Sequence, residues 1–143
     1  MPAAKRTIVI DRGVDAVFAF FTDPSNDLKW RPHVKEIAGP GPLGVGSRVH
    51  QVVAGPGGRG IPADMEVTAF ERPSHYAFRV VAGPARPVGE FRFSSTGEGT
   101  EVTFSLAAEL SGVRKLLMSK PVQTSMDGEM AALDSAKRLL EQD

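Results

Sequence analysis

The sequence predicts an α+β domain in which a curved antiparallel sheet of about seven strands wraps a long C-terminal helix, with two short helices after the first strand. Three observations carry this. Between residues 47 and 109 apolar and polar residues alternate, the two-residue period of half-buried strands. Beyond residue 121 the period becomes three and four, with Val122, Met126, Met130, Leu133, Ala136 and Leu140 forming one stripe. And 143 residues suffice for one core but not for two ordinary domains, so residues 1–143 are read as a single domain.

The elements follow in order. Thr7–Asp11 is short, β-branched and apolar, which favours a strand. Val14, Val17, Phe18 and Phe21 recur at helical spacing, with Gly13 before them and Asp23-Pro24 as a stop, since a residue preceding proline is pushed out of the helical region. Asp23 or Ser25 can cap a second short helix that runs to Trp30 and ends at Arg31-Pro32. Strands are expected at 33–38, 47–54, 63–71, 76–82, 88–95 and 101–109. Gly- and Pro-rich turns separate most of them. With no helix between them, strands this close pair antiparallel. Met65, Val67, Tyr76, Phe78, Phe91, Phe93, Val102 and Phe104 share the apolar face, and Glu66, Arg79, Glu90, Arg92 and Glu101 the wet one. Pro121 fits the first turn of the last helix, after a separate short helix at 113–118. Asp127, Glu129, Asp134, Lys137, Arg138 and Glu141 are assigned to its solvent side.

Composition narrows the functional classes. Seventeen basic residues balance seventeen acidic ones, and no run of like charge interrupts the balance, which disfavours nucleic-acid partners and anionic membranes. Without cysteine there is no disulfide, thiolate metal site or cysteine nucleophile. No stretch of ~20 apolar residues and no signal-peptide pattern is present, so a cytoplasmic protein without stable membrane insertion is expected.

Several short segments carry a family likeness. The run Gly13-Val14-Asp15-Ala16-Val17-Phe18, followed by Thr22-Asp23-Pro24 and Trp30, resembles the START-like superfamily, in particular its polyketide cyclase/dehydrase (SRPBCC) branch. Gly44-Val45-Gly46-Ser47-Arg48, Val67-Thr68-Ala69-Phe70-Glu71-Arg72-Pro73 and Gly97-Glu98-Gly99-Thr100-Glu101-Val102-Thr103 resemble the same branch. Gly13 departs from it, standing where a proline is usual. The resemblance implies a helix-grip fold of the birch-pollen-allergen type. Its members use a deep cavity to bind lipids, sterols, polyketides or hormones, and some catalyse cyclisation or dehydration there.

Candidate site residues belong to the inward face. Phe78, Phe91, Phe93 and Phe104 from the sheet converge with Met126 and Met130 from the helix, and Met65 joins them; such rings and thioethers suit an apolar ligand but equally make plain core. Trp30 fits either a pocket rim or a core plug. Gln51 faces inward if Val49 and Val53 do, where a buried amide needs a partner; otherwise it meets water. Tyr76 could act as an acid or be a hydrogen-bonded core residue. His33 could open on the cavity mouth or cap a helix, and Glu71 completes the short list of ionisable groups within reach of the pocket. His50 and His75 lack companions at ligand spacing, so no metal and no cofactor is expected. The function expected is binding of a small, largely apolar molecule, with cyclase-like catalysis in the same cavity as the alternative and a protein-interaction module as a second. The expected partners are that ligand and, at most, a second copy of the chain as a homodimer.

Overall fold

The computed structural model describes residues 1–142. Strand β1 (Ala3–Ile10) leads to helices α1 (Val14–Phe21) and α2 (Asp27–Trp30), joined by a 3₁₀ turn at Pro24–Asn26. Then come β2 (Val34–Ala38), β3 (Arg48–Ala54), β4 (Gly60–Pro62), β5 (Met65–Glu71), β6 (His75–Val80), β7 (Val88–Thr96) and β8 (Gly99–Ala107), and the chain closes with α3 (Gly112–Glu141). The sheet runs β1-β8-β7-β6-β5-β3-β2, with β4 attached to β3, and every pairing is antiparallel.

The alternation seen in the sequence sets the faces. Tyr76, Phe78, Val80, Phe91, Phe93, Val102, Phe104 and Leu106 are buried, as is Val49. Irregularities between Val67 and Ala69, and between Val34 and Glu36, bend the strands so that the sheet curls. β3 pairs with β5 only at Arg48 and Val49, then with β4 from Val52 to Ala54. The sheet therefore splits near the Gly55–Gly60 turn. Gly89 faces Phe78 across β6 and β7; a Cβ there would come within 2.3 Å of the ring, so glycine leaves the space that the ring fills.

Three expectations need correction. β1 starts at Ala3 rather than Thr7, because β8 supplies partners out to Ala107. The turn after Ala54 contains the additional strand β4, whose pairing to β3 had no alternating pattern to announce it in three residues. The break before Pro121 is absent: α3 is one helix of 30 residues with Pro121 inside it. The proline removes one hydrogen bond of the helix without ending it, and the part beyond it is fastened to β1 and the residue after it. There Arg6 donates to the Met130 carbonyl at 3.0 Å and pairs with Asp134 at 2.6 Å, Lys137 donates to the Val9 carbonyl at 2.5 Å, and the Asp11 amide donates to Glu141 at 2.8 Å. Gln123 exchanges hydrogen bonds with both backbone groups of Ala3. Met126, Met130, Ala132, Leu133 and Ala136 are buried against the sheet.

Candidate functional site

Between the concave sheet face and α3 lies a cavity of about 900 Å³. Of the residues singled out in the sequence, Trp30, His33, Gln51, Met65, Tyr76, Phe78, Phe91, Phe104 and Met126 line it. Phe91 and Phe104 stack face to face with centroids 4.0 Å apart and planes 3° from parallel, so each covers one face of the other while both border the cavity. Phe93 and Met130 do not line it. Phe93 packs edge-on to Phe18 at 5.3 Å, because α1 covers that end of β7. Met130 lies one turn beyond Met126, buried in the core. Glu71 is exposed and meets His75, away from the lining. His75 also pairs with Glu90, and His50 with Glu36 and Asp64, all on the wet side. Among the described residues no group of three or more potential ligands could hold a metal ion.

The inner end of the cavity is polar, and sequence reasoning missed most of it. Asp27 opens α2 and Arg31 follows its last residue, so an i,i+4 spacing places their side chains together at 2.8 Å. The Arg31 guanidinium continues to Glu129 of α3 in a bidentate pair at 2.9 and 2.5 Å, and donates to the Gln51 side chain of β3 at 3.1 Å. His33 Nε2 lies 3.1 Å from Glu129, in ion-pair range but without hydrogen-bond alignment. One buried cation thus ties α2, β3 and α3 at a single point. Glu129 corrects the solvent-side assignment made from the sequence. It stands three residues after Met126 and four before Leu133, the spacing of the apolar stripe itself.

Burial pushes the Asp27 carboxyl up to about 6, Arg31 offsetting only part of this. Burial would also raise Glu129, but Arg31 and His33 outweigh it and hold that carboxyl at about 2. Burial opposes the Arg31 charge, yet Glu129 and Asp27 more than compensate and its pKa rises. The two carboxyls therefore affect stability in opposite senses. Glu129, depressed from 4.5, contributes stability that is lost as pH falls toward 2. Asp27, raised from 3.8, makes stability fall as pH rises from 3.8 to 6, because the unfolded side chain ionises first. Across that interval the depressed carboxyls raise stability with pH and Asp27 opposes them, so the urea midpoint should rise more steeply for Asp27→Asn than for the native chain; equal slopes would show that Asp27 ionises normally in the fold.

Besides His33 Nε2, two donors beside this cluster are left without a well-aligned acceptor. Trp30 is 2% exposed, and its buried Nε1 is close enough to favour the Asp27 carboxylate slightly but makes no hydrogen bond of normal geometry. Tyr76 is 3% exposed, and its hydroxyl makes no hydrogen bond among the described residues. Burial, and next the nearby Asp27 charge, raise the Tyr76 phenol, so it remains a proton donor at neutral pH.

A curled antiparallel sheet closed by one long helix, with a cavity between them, defines a helix-grip protein. Residues 1–138 match the family described as polyketide cyclase / dehydrase and lipid transport, and the chain belongs to that family. No curated protein matches its sequence. Among solved structures it is similar to TTHA0849 from Thermus thermophilus, at 20% identity with 97% of each chain covered and a TM-score of 0.80. It is also similar to the di-domain ARO/CYC StfQ from the steffimycin biosynthetic pathway, at 13% identity and a TM-score of 0.78, covering 97% of this chain and 50% of that one. The di-domain ARO/CYC BexL from the BE-7585A biosynthetic pathway gives 15% identity and a TM-score of 0.76, with 99% and 50% covered. At these identities the likeness establishes the fold. No helix among the described residues is long and apolar enough to cross a membrane.

Proposed function

We propose that the cavity binds a small, largely apolar molecule carrying a hydrogen-bond acceptor at its inner end. The observation that carries this is the pairing of an apolar, largely aromatic lining with two donors that have no aligned acceptor. Phe78, Phe91 and Phe104 border the cavity, while Trp30 Nε1 and the Tyr76 hydroxyl make no hydrogen bond of normal geometry among the described residues. A buried donor without a partner costs free energy, and a ligand oxygen would recover it. Four of the five Arg31 N–H groups go to Glu129, Asp27 and Gln51, and two carboxyls already face its charge, so a neutral acceptor such as a carbonyl or phenol suits this end better than a carboxylate. Native mass spectrometry of the freshly purified chain should show a co-purifying molecule of this type. At a hundredfold excess over its dissociation constant such a ligand adds ~2.7 kcal/mol, a rise of several degrees in Tm. The absence of any bound species, with no Tm shift from a panel of flat aromatic ketones and phenols, would overturn the binding reading.

A second reading, cyclase or dehydratase chemistry in the same cavity, is supported by Tyr76 alone. Its phenol is protonated, faces the cavity and lies near the charged cluster, as a general acid should. Tyr76→Phe would then keep the fold and lower turnover of a cyclisable polyketide-like substrate by ~10²–10⁴. An unchanged rate would remove Tyr76 from this role.

A further inference from the structure

We propose that the first turns of α3 and the two loops beside them dock the mouth of the cavity onto an anionic lipid surface. Val113, Leu116 and Leu117 are 69%, 85% and 71% exposed, the largest apolar exposure clustered in one stretch of chain. Their spacing of three and four puts them on one side of α3, and Leu117 also borders the cavity. Cations surround them. Arg114, Lys115 and Lys120 lie in the same turns, and residues 110–126 contain no Asp or Glu. Two further stretches that line the cavity, 54–63 and 81–89, contribute Arg59 and Arg86 and no acidic residue. Arg114 ties α3 to the second of these by donating to the Pro84 carbonyl at 3.3 Å.

In a chain whose charges balance overall, five cations in the three stretches that border one opening, with Lys120 lining it, are a local excess. None of the five is in a salt bridge among the described residues. An aliphatic stripe flanked by Lys and Arg is the pattern of a helix lying in a bilayer interface, where the apolar side chains enter the acyl boundary and the cations meet anionic headgroups. Three aliphatic side chains are too few for a stable protein interface of ~800 Å² per partner, but they suffice for reversible attachment to a membrane. Such docking is peripheral, and it would let an apolar molecule pass between bilayer and cavity without crossing water. It rests on the mouth alone and stands or falls apart from what the cavity holds.

The test is co-sedimentation of the full chain with vesicles of equimolar phosphatidylglycerol and phosphatidylcholine, against vesicles of phosphatidylcholine alone. Binding is expected to the anionic vesicles, to be weakened by added salt, and to fall about tenfold or more in Leu116→Glu/Leu117→Glu. Both leucines are exposed, so this variant should melt like the parent. Lys115→Glu/Lys120→Glu should lose binding similarly without altering the apolar stripe, and Ser94→Glu on the far face of the sheet should not. No sedimentation with anionic vesicles at low salt, equal binding to both compositions, or full binding by the leucine variant would each overturn the proposal. A soluble acidic protein that binds this face while the vesicles do not would overturn it as well.

Discussion

Glu129→Ala is expected to destabilise the protein by roughly 3–5 kcal/mol, a large part of the ~5–15 kcal/mol that a domain of this kind possesses. The cause is electrostatic rather than steric. Arg31 is 7% exposed, and Glu129 supplies two of its hydrogen bonds. With Glu129 gone, the guanidinium keeps only Asp27 and Gln51, and Asp27 is itself inclined to hold a proton. A charge left buried and under-compensated is costly, whereas removal of both partners need not be. Urea denaturation should therefore find Asp27→Asn/Arg31→Met/Glu129→Leu, which leaves no charge of the cluster behind, closer to the parent than Glu129→Ala is. If the triple variant is as unstable as the single one, the loss comes from packing and the charged cluster is not its source.

Removal of residues 121–143 is expected to abolish cooperative unfolding. α3 buries Met126, Met130 and Leu133 against the sheet, and large apolar side chains of this kind contribute ~1.5–3 kcal/mol each. The sheet loses its cover at the same time, exposing Ile8, Val102 and Phe104 among others. The sum is comparable with the whole net stability of ~5–15 kcal/mol. The truncated chain should bind a hydrophobic dye and show no sharp thermal transition. A cooperative melt would mean that the sheet holds its own core.

The parts of the fold that were legible in the sequence are those with a period. Alternation over β5 to β8 placed Tyr76, Phe78, Phe91 and Phe104 on one face, whereas over β3 it left Gln51 either inward or at water, and the fold decides for the inside, where it is 4% exposed. What alternation does not report is which inward residues meet the helix and which meet empty space. Phe91 and Phe93 are equivalent along β7, yet only Phe91 lines the cavity, because α1 lies over Phe93. The charged cluster escaped for a different reason: its members come from positions 27, 31, 51 and 129, and long-range pairing leaves no local pattern. One signal was available. Glu129 falls within the apolar arc of its helix, and a carboxylate there implies a buried cation. The basic mouth was likewise invisible, since Arg59, Arg86 and Arg114 stand far apart in the chain and only the fold gathers them.

Pro121 divides α3 into a part fastened to β1 and a part that is scarcely fastened at all. Proline has no N–H to give to the Leu117 carbonyl, so the ladder of hydrogen bonds is interrupted four residues ahead of it. On the C-terminal side, Gln123, Met130, Asp134, Lys137 and Glu141 are bound to β1 and the residue after it. On the N-terminal side, among the described residues Arg114 alone hydrogen-bonds to a neighbouring loop, and residues 111–117 are all exposed. Amide exchange behind the proline is therefore expected to report the opening of the whole domain, and the amides before it to exchange faster by local fraying.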